Sequence, residues 1–278
     1  DGLRVRAAKD PRKIVLPEGM EIRTLKGVDK ALKIGIVEPI ILGDKDEILK
    51  VAKSLSLDLE KAKFINPKTA PDLEKIVNAY YELRKHKGVT IEDARKTITE
   101  EPLYFGAMMV SLDMADGFVA GASHTSGSVI KAAIYCIKPK KKVGTASSCF
   151  LIELEDKTFG EQGVFIYADC GSIPDPSSPQ LANIAVSAGK LMKKLFNATA
   201  RVAMLSYSTK GSAGGELVEK VVNAVKKANE IAPDMLIDGE FQLDAAIVPE
   251  VAKIKCKESP VAGRANVLIF PNLDSGNI

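Results

Sequence analysis

Short apolar runs alternate with stretches of helical period from residue 13 to residue 270, and this alternation dictates an α/β fold with largely parallel sheets. Residues 13–16 (KIVL), 37–42 (VEPIIL), 63–65, 117–122 (GFVAGA), 148–154, 163–170, 201–207, 235–238 and 265–270 (ANVLIF) read as strands. Pro39 marks its strand as an edge or an early position. Between strands, 21–34 places Ile22, Leu25, Val28 and Leu32 on one helical side. Asp44 and Glu47 open a helix to residue 55. Asp72 is expected to cap a helix carrying Leu73, Ile76, Tyr80 and Leu83, which stops near Gly88. Thr90 and Asp93 start another, and 101–114 follows with methionines as core filler. Further helices are predicted over 126–137, 179–196, 214–231 and 243–255, the last kinked at Pro249. Only EDKTFGEQ (155–162) separates two strand-like runs, a hairpin connection that makes the second half's sheet mixed.

A chain of 278 residues suits two domains, and the basic run 138–142 (KPKKK) is the best boundary, giving 1–140 and 141–278. That run otherwise reads as a solvated turn. The net charge of +3, with Lys and Arg interleaved with Asp and Glu, excludes a nucleic-acid stripe. No apolar run reaches membrane-spanning length, so no membrane partner is expected and the location is read as cytoplasmic. The four cysteines make no CxxC pair and suit small buried hydrophobes in a reducing compartment. His86 and His124 form no HExxH frame, which argues against a metal site.

Residues 206–215 (SYSTKGSAGG) lie between a strand end and a helix start, where parallel sheets hold ligands. Their glycines let backbone approach an anion, and the helix N-terminus offers free N–H groups. Ser206, Ser208, Thr209 and Ser212 add hydroxyls, Lys210 adds charge, and Gly211 sits among them. The stretch is neither a Walker A loop nor G-x-G-x-x-G. A plain capping turn fits as well, and the number of hydroxyls favours a phosphate site. Residues 124–128 (HTSGS) are a second anion nest or a Ser/Thr N-cap. Residues 84–87 (RKHK) end a helix, where cations are favoured in any case. Residues 238–240 (DGE) could form a turn, a metal ligand or a polar wall. Asp169 and Asp175 are read as shaping a Pro-rich turn only.

Taken in order, KIVLPEG (13–19), YYELRKHKG (80–88), ADGFVAGASHTSGS (115–128), ASSCFLI (146–152), YADC (167–170), RVAMLSYSTKGSAGGE (201–216), PDMLIDGEFQLDAAIVPEVA (233–252) and SPVAGRANVLIFPNLDSGNI (259–278) resemble the phosphate acetyltransferase (phosphotransacetylase) family and its phosphate butyryltransferase relatives. The resemblance implies a two-domain subunit similar in fold to isocitrate and isopropylmalate dehydrogenases, usually a homodimer, with its active site in an interdomain cleft. It implies reversible acetyl transfer between CoA and inorganic phosphate, yielding acetyl phosphate, with CoA and acetyl-CoA as substrates and no tightly bound cofactor. By family match Arg84 is a binding arginine. Thr125, Ser126 and Ser128, with the loop Ser206, Ser208, Thr209, Lys210, Gly211 and Ser212, would line the acyl-phosphate site. Asp238 would close the far wall, and Asn277 would lie near it.

Two departures follow. Lys131 stands where the family has an arginine, so the charge is kept and the bidentate fork is lost. The family's Asn-Asp-Leu-Ser-Arg-Gly motif and following aspartate would lie past Ile278. The catalytic residues are therefore unknown within these residues, and a polypeptide ending at Ile278 is expected to show little or no catalysis and a first domain without its closing elements. Two other readings compete. One is a non-catalytic module sensing acetyl-CoA or acetyl phosphate. The other is a dehydrogenase of the related fold, for which no Asp-x-x-x-Asp cluster is found.

Overall fold

The computed structural model describes residues 2–137 and 145–278; the predicted boundary run 138–142 lies outside the described residues. The chain divides into two compact units, Asp1–Lys138 and Pro139–Ile278.

The first unit opens with α1 (Gly2–Lys9) and continues as β1 (Arg12–Leu16), α2 (Ile22–Ile34), β2 (Val37–Leu42), α3 (Lys45–Ser54), β3 (Lys63–Ile65) and α4 (Leu73–Arg84). A 3-10 turn at Lys85–Lys87 follows, then α5 (Ile91–Glu100), α6 (Pro102–Ser111), β4 (Gly117–Phe118) and α7 (Ser126–Cys136). Its four strands form a parallel sheet in the order β3-β2-β1-β4. Period-two alternation lets β2 serve two cores. Ile41 packs with Leu25, Val28 and Ile48, while Ile40 and Leu42 pack with Ile76, Phe105 and Met108. A sheet covered on both faces explains why residues 39–42 of β2 (PIIL) are continuously apolar.

In the second unit β5 (Phe150–Glu153) and β6 (Val164–Ala168) form the expected antiparallel hairpin. Then come α8 (Ser178–Phe196), β7 (Arg201–Leu205), α9 (Glu216–Ile231), β8 (Leu236–Phe241), α10 (Leu243–Ile247), α11 (Pro249–Lys255), β9 (Val267–Ile269) and α12 (Leu273–Asn277). The sheet runs β5-β6-β9-β7-β8, parallel except at the hairpin. Val202, Met204, Val267 and Ile269 face one core with residues of α8 and α9. Ala203, Leu205 and Leu268 face the other, with Phe165, Phe241 and Val261.

Several expectations are corrected. β2 is an inner strand, yet its ladder with β3 begins only at Ile40. At Pro39 the strand is thus flanked by β1 alone, where a missing N–H is tolerated. Asp72 occupies the N-cap position of α4 without a side-chain capping bond, its backbone being too far from extended. Pro249 does not kink one helix; it begins a second, at the first-turn position where proline is favoured. The strand predicted over 117–122 stops at Phe118, because the backbone N–H groups of 121–124 point elsewhere. Helices α1 and α12 have no counterpart in the pattern read from the sequence.

Candidate anion-binding site

Those N–H groups converge on one side chain. Glu18 follows β1, and Gly19 beside it allows a close approach: a Cβ there would lie 2.1 Å from the carbonyl oxygen of Leu42. The Glu18 carboxylate accepts from the backbone N–H of Gly121, Ala122, Ser123 and His124, from Ser123 Oγ, and from His124 Nδ1 at 2.8 Å. Burial alone would raise this carboxyl, but the bonds from His124, Ser123 and Ala122 outweigh it and lower it from 4.5 to about 2. The path 121–124 is therefore fixed from within by the protein's own anion, which takes only the His124 N–H of the predicted nest 124–128.

Thr125 is the N-cap of α7. Its Oγ1 accepts from Ser128 N, and the Thr125 and Ser128 hydroxyls share a further bond at 2.9 Å. Ser126 begins the helix. Ser128, Lys131 and Tyr135 are spaced three and four residues apart, so they share one face of α7. Arg84, the last residue of α4, reaches that face. Its guanidinium carbon lies 3.8 Å from the centroid of the Tyr135 ring, and Lys131 Nζ lies 5.6 Å from the same centroid. Tyr135 is backed edge-on by Tyr104, and Tyr104 by Tyr80. Among the described residues, no carboxylate lies within ion-pair distance of Arg84 or Lys131. Arg84 Nε is buried with no hydrogen-bond partner. Two cations without a carboxylate partner and an unsatisfied donor make this a candidate place for an anion. Burial pushes the neighbouring Cys136 thiol up to about 12, which removes it as a nucleophile.

The loop after β7 is wired differently. Lys210 and Gly211 both take left-handed backbone (φ 47° and 82°), which turns the Gly211 N–H toward Glu240 Oε1 at 2.8 Å. The Ser208 hydroxyl donates to the same oxygen, also at 2.8 Å, and both Ser208 and Glu240 are buried. Thr209 N donates to Ser212 Oγ, and Gln242 N donates to Thr209 Oγ1. Ser208 N donates to Ser206 Oγ at 3.3 Å. Lys210 pairs with Asp238 at 2.5 Å, and Asp238 also accepts from Ser259 Oγ. The carboxylate of Glu240 thus takes the position an outside anion would want, and the lysine is neutralised. Asn277, in α12, donates to the carbonyl of Cys170 at 2.7 Å and ties that short helix to the end of β6. Lys210 and Asp238 line a polar cavity of about 560 Å³ with Lys255, Lys257 and Ser259.

Asp169 repeats the pattern. It is more than a turn former: its carboxylate accepts from the backbone N–H of Ser148, Gly171, Ser172 and Ile173 and from the hydroxyls of Ser148 and Ser172. Burial raises its carboxyl, yet the Ser148 and Ser172 hydroxyls and the backbone donors together bring it below the usual aspartate range. Asp175, by contrast, is an exposed partner of Lys220.

Within the first unit the structure thus brings Arg84 and Lys131 to the Tyr135 ring, while Thr125, Ser126 and Ser128 lie at the start of the same helix α7. Within the second it joins Lys210 to Asp238 and the 206–212 loop to Glu240 and Gln242, and it ties Asn277 to the Cys170 carbonyl. Glu18 and Tyr135 escape sequence reading, and Glu240, read as part of a turn, metal ligand or polar wall, is the acceptor of the 208–211 loop, since no local pattern announces partners dozens of residues away.

A two-unit α/β chain with doubly covered parallel strands fits either the acyltransferase or the dehydrogenase reading. Comparison with known proteins decides between them. All residues 1–278 match the family model described as phosphate acetyl/butaryl transferase, and the chain belongs to that family. It is 48% identical over 273 residues to phosphate acetyltransferase of Thermoanaerobacterium thermosaccharolyticum, spanning 98% of this chain and 82% of that protein. It is 42% identical over 272 residues to phosphate acetyltransferase of Bacillus subtilis, spanning 98% and 81%. Among solved structures, a phosphotransacetylase from Streptococcus pyogenes superposes with a TM-score of 0.90 at 39% identity, covering 99% of this chain and 82% of that one. A branched-chain phosphotransacylase from Enterococcus faecalis shares the fold, with a TM-score of 0.63 at 18% identity over 95% of this chain and 81% of that one.

Proposed function

We propose that the chain catalyses reversible acetyl transfer between CoA and inorganic phosphate. Family membership sets the reaction class, and the acetyl substrate follows from relatives at 40–48% identity that carry the name phosphate acetyltransferase. The observation that carries the site is the pair Arg84 and Lys131 on one ring with no carboxylate to neutralise them.

The chemistry uses such a pair. Acetyl-CoA and phosphate react when a phosphate oxygen adds to the thioester carbon. The tetrahedral intermediate places negative charge on the former carbonyl oxygen, the carbon–sulfur bond breaks, and CoA leaves as thiolate to be protonated. In reverse, a CoA thiolate attacks acetyl phosphate and phosphate leaves. Both directions bring polyanions together, so the principal demand on the protein is positive charge and donors held in place before substrate arrives. Arg84 Nε has a donor to give, Lys131 adds a mobile charge, and the hydroxyls at the start of α7 add donors beside the helix N-terminus. In the second unit, no acceptor among the described residues takes the hydroxyl protons of Ser206 and Ser212, which leaves them able to donate to an anionic group. The remaining loop groups, with Lys210, Gly211 and Asp238, hold the loop in shape. CoA acts as substrate rather than cofactor.

The reading includes a cytoplasmic homodimer. Phe150 and Leu151 are exposed on β5, the outermost strand of its sheet, and an apolar free edge favours self-association. No helix among the described residues is long and apolar enough to cross a membrane. The decisive experiment supplies acetyl-CoA with and without inorganic phosphate and follows free thiol. Phosphate-dependent thiol release supports the proposal. Acetyl-CoA binding without release identifies a sensing module instead.

A further inference from the structure

The cation pair raises a physical problem. Arg84 and Lys131 carry like charge, sit beside one aromatic ring and have no carboxylate between them. Left to themselves, two flexible cations would swing apart into solvent. Lys131 is exposed and free to do so, and nothing hydrogen-bonded holds the Arg84 guanidinium at its Nε. What both share is the Tyr135 ring. An aromatic face is negative, so it attracts a cation without neutralising it as a carboxylate would. The geometry favours this role. Tyr135 follows Lys131 by one turn, and long helical side chains lean toward the N-terminus, which lays the ring over the preceding turn. The ring is itself braced edge-on by Tyr104, at 6.3 Å between centroids, and Tyr104 by Tyr80 at 5.8 Å.

We infer that Tyr135 is a positioning residue: its ring face gathers Arg84 and Lys131 into one preformed cradle for a phosphate group while leaving their charge available. The ring acts through the two cations and not through its hydroxyl, which donates to no residue among those described. The inference rests on the reading of Arg84 and Lys131 as phosphate-binding groups and adds the element that keeps them together. It also accounts for the lysine at position 131. A lysine cannot clamp phosphate in a fork as arginine does, so holding its ammonium close to the Arg84 guanidinium matters more.

The test separates ring, hydroxyl and scaffold. Tyr135→Phe keeps the face and should bind inorganic phosphate as the parent does, within about twofold. Tyr135→Leu keeps apolar bulk and removes the face; it should weaken phosphate binding about tenfold, raising KM for phosphate while leaving kcat near the parent value. The chain has no tryptophan, so Tyr135→Trp introduces a single indole that retains a strong π face. Its fluorescence should change on titration with inorganic phosphate, saturating with the parent affinity. Parent-like phosphate binding by Tyr135→Leu would overturn the inference, as would an equal loss in Tyr135→Phe. If Tyr135→Leu fails to fold, the indole titration decides alone, and a silent signal overturns the inference. The binding titrations need no turnover. A chain that binds phosphate through this cradle but transfers no acetyl group would sink the proposed reaction and leave the role of Tyr135 standing.

Discussion

Two loops of this chain look alike in sequence and are used differently. HTSGS before α7 and SYSTKGSAGG before α9 each follow a strand, carry hydroxyls and glycine, and open a helix. In each, one backbone N–H of the loop is given to an internal carboxylate, His124 to Glu18 and Gly211 to Glu240. The difference lies in the cations. Lys210 is paired with Asp238, whereas Lys131 and Arg84 face a tyrosine ring and keep their charge uncompensated. A glycine- and serine-rich loop at a helix start therefore marks the place where an anion is held without saying whose it is. Neutralisation of the nearby cations is the better discriminator between a structural nest and a binding site.

The largest expected effect breaks the first nest. Glu18→Ala leaves four backbone donors, a hydroxyl and an imidazole without their buried acceptor, and should cost about 3–4 kcal/mol, read by denaturant unfolding. Glu240→Ala strands fewer donors and should cost about 2–3 kcal/mol. A larger loss at Glu240 would invert the ranking drawn here.

Next comes the contrast in charge. Arg84→Ala should raise the apparent phosphate constant on the order of 30-fold, since a charge-assisted anion contact disappears. Lys210→Met, which breaks an already satisfied pair, should shift phosphate affinity less than about threefold and stability by under about 1 kcal/mol. Equal effects in the two variants would end the distinction between a free and a spent cation.

The pH response is the finest probe. Glu18 has a folded value of about 2, below its ordinary 4.5. Its stabilisation is therefore complete above about 4.5 and is lost as pH falls through the interval down to about 2. Thermal melts should decline over that interval, and Glu18→Gln should flatten the decline attributable to this group. Asp169, lowered in the same direction, should keep part of the acid sensitivity in the second unit.

Much of this was legible in the residue order. The strand and helix pattern is local, and the antiparallel hairpin follows from the eight residues joining its strands. The Thr90 and Asp93 capping box forms as read. The site was legible only in fragments. Arg84 reads as a cation favoured at a helix end, and nothing local singles out Tyr135 within its helix. Nothing within seven residues of either shows that they meet. The overlong strand read over 117–122 has the same origin: apolar GFVAGA suits a ladder, but Glu18, about a hundred residues earlier, takes its donors.

Periodicity and turn chemistry act between neighbours along the chain, so the residue order by itself determined the α/β class, the mixed second sheet and the list of groups able to bind an anion. Which of those groups are consumed internally depends on Coulomb and hydrogen-bonding contacts between segments far apart in sequence. Those contacts fall off within a few ångströms, so only the folded arrangement of Glu18, Glu240, Asp238 and Tyr135 could decide where positive charge is left unspent.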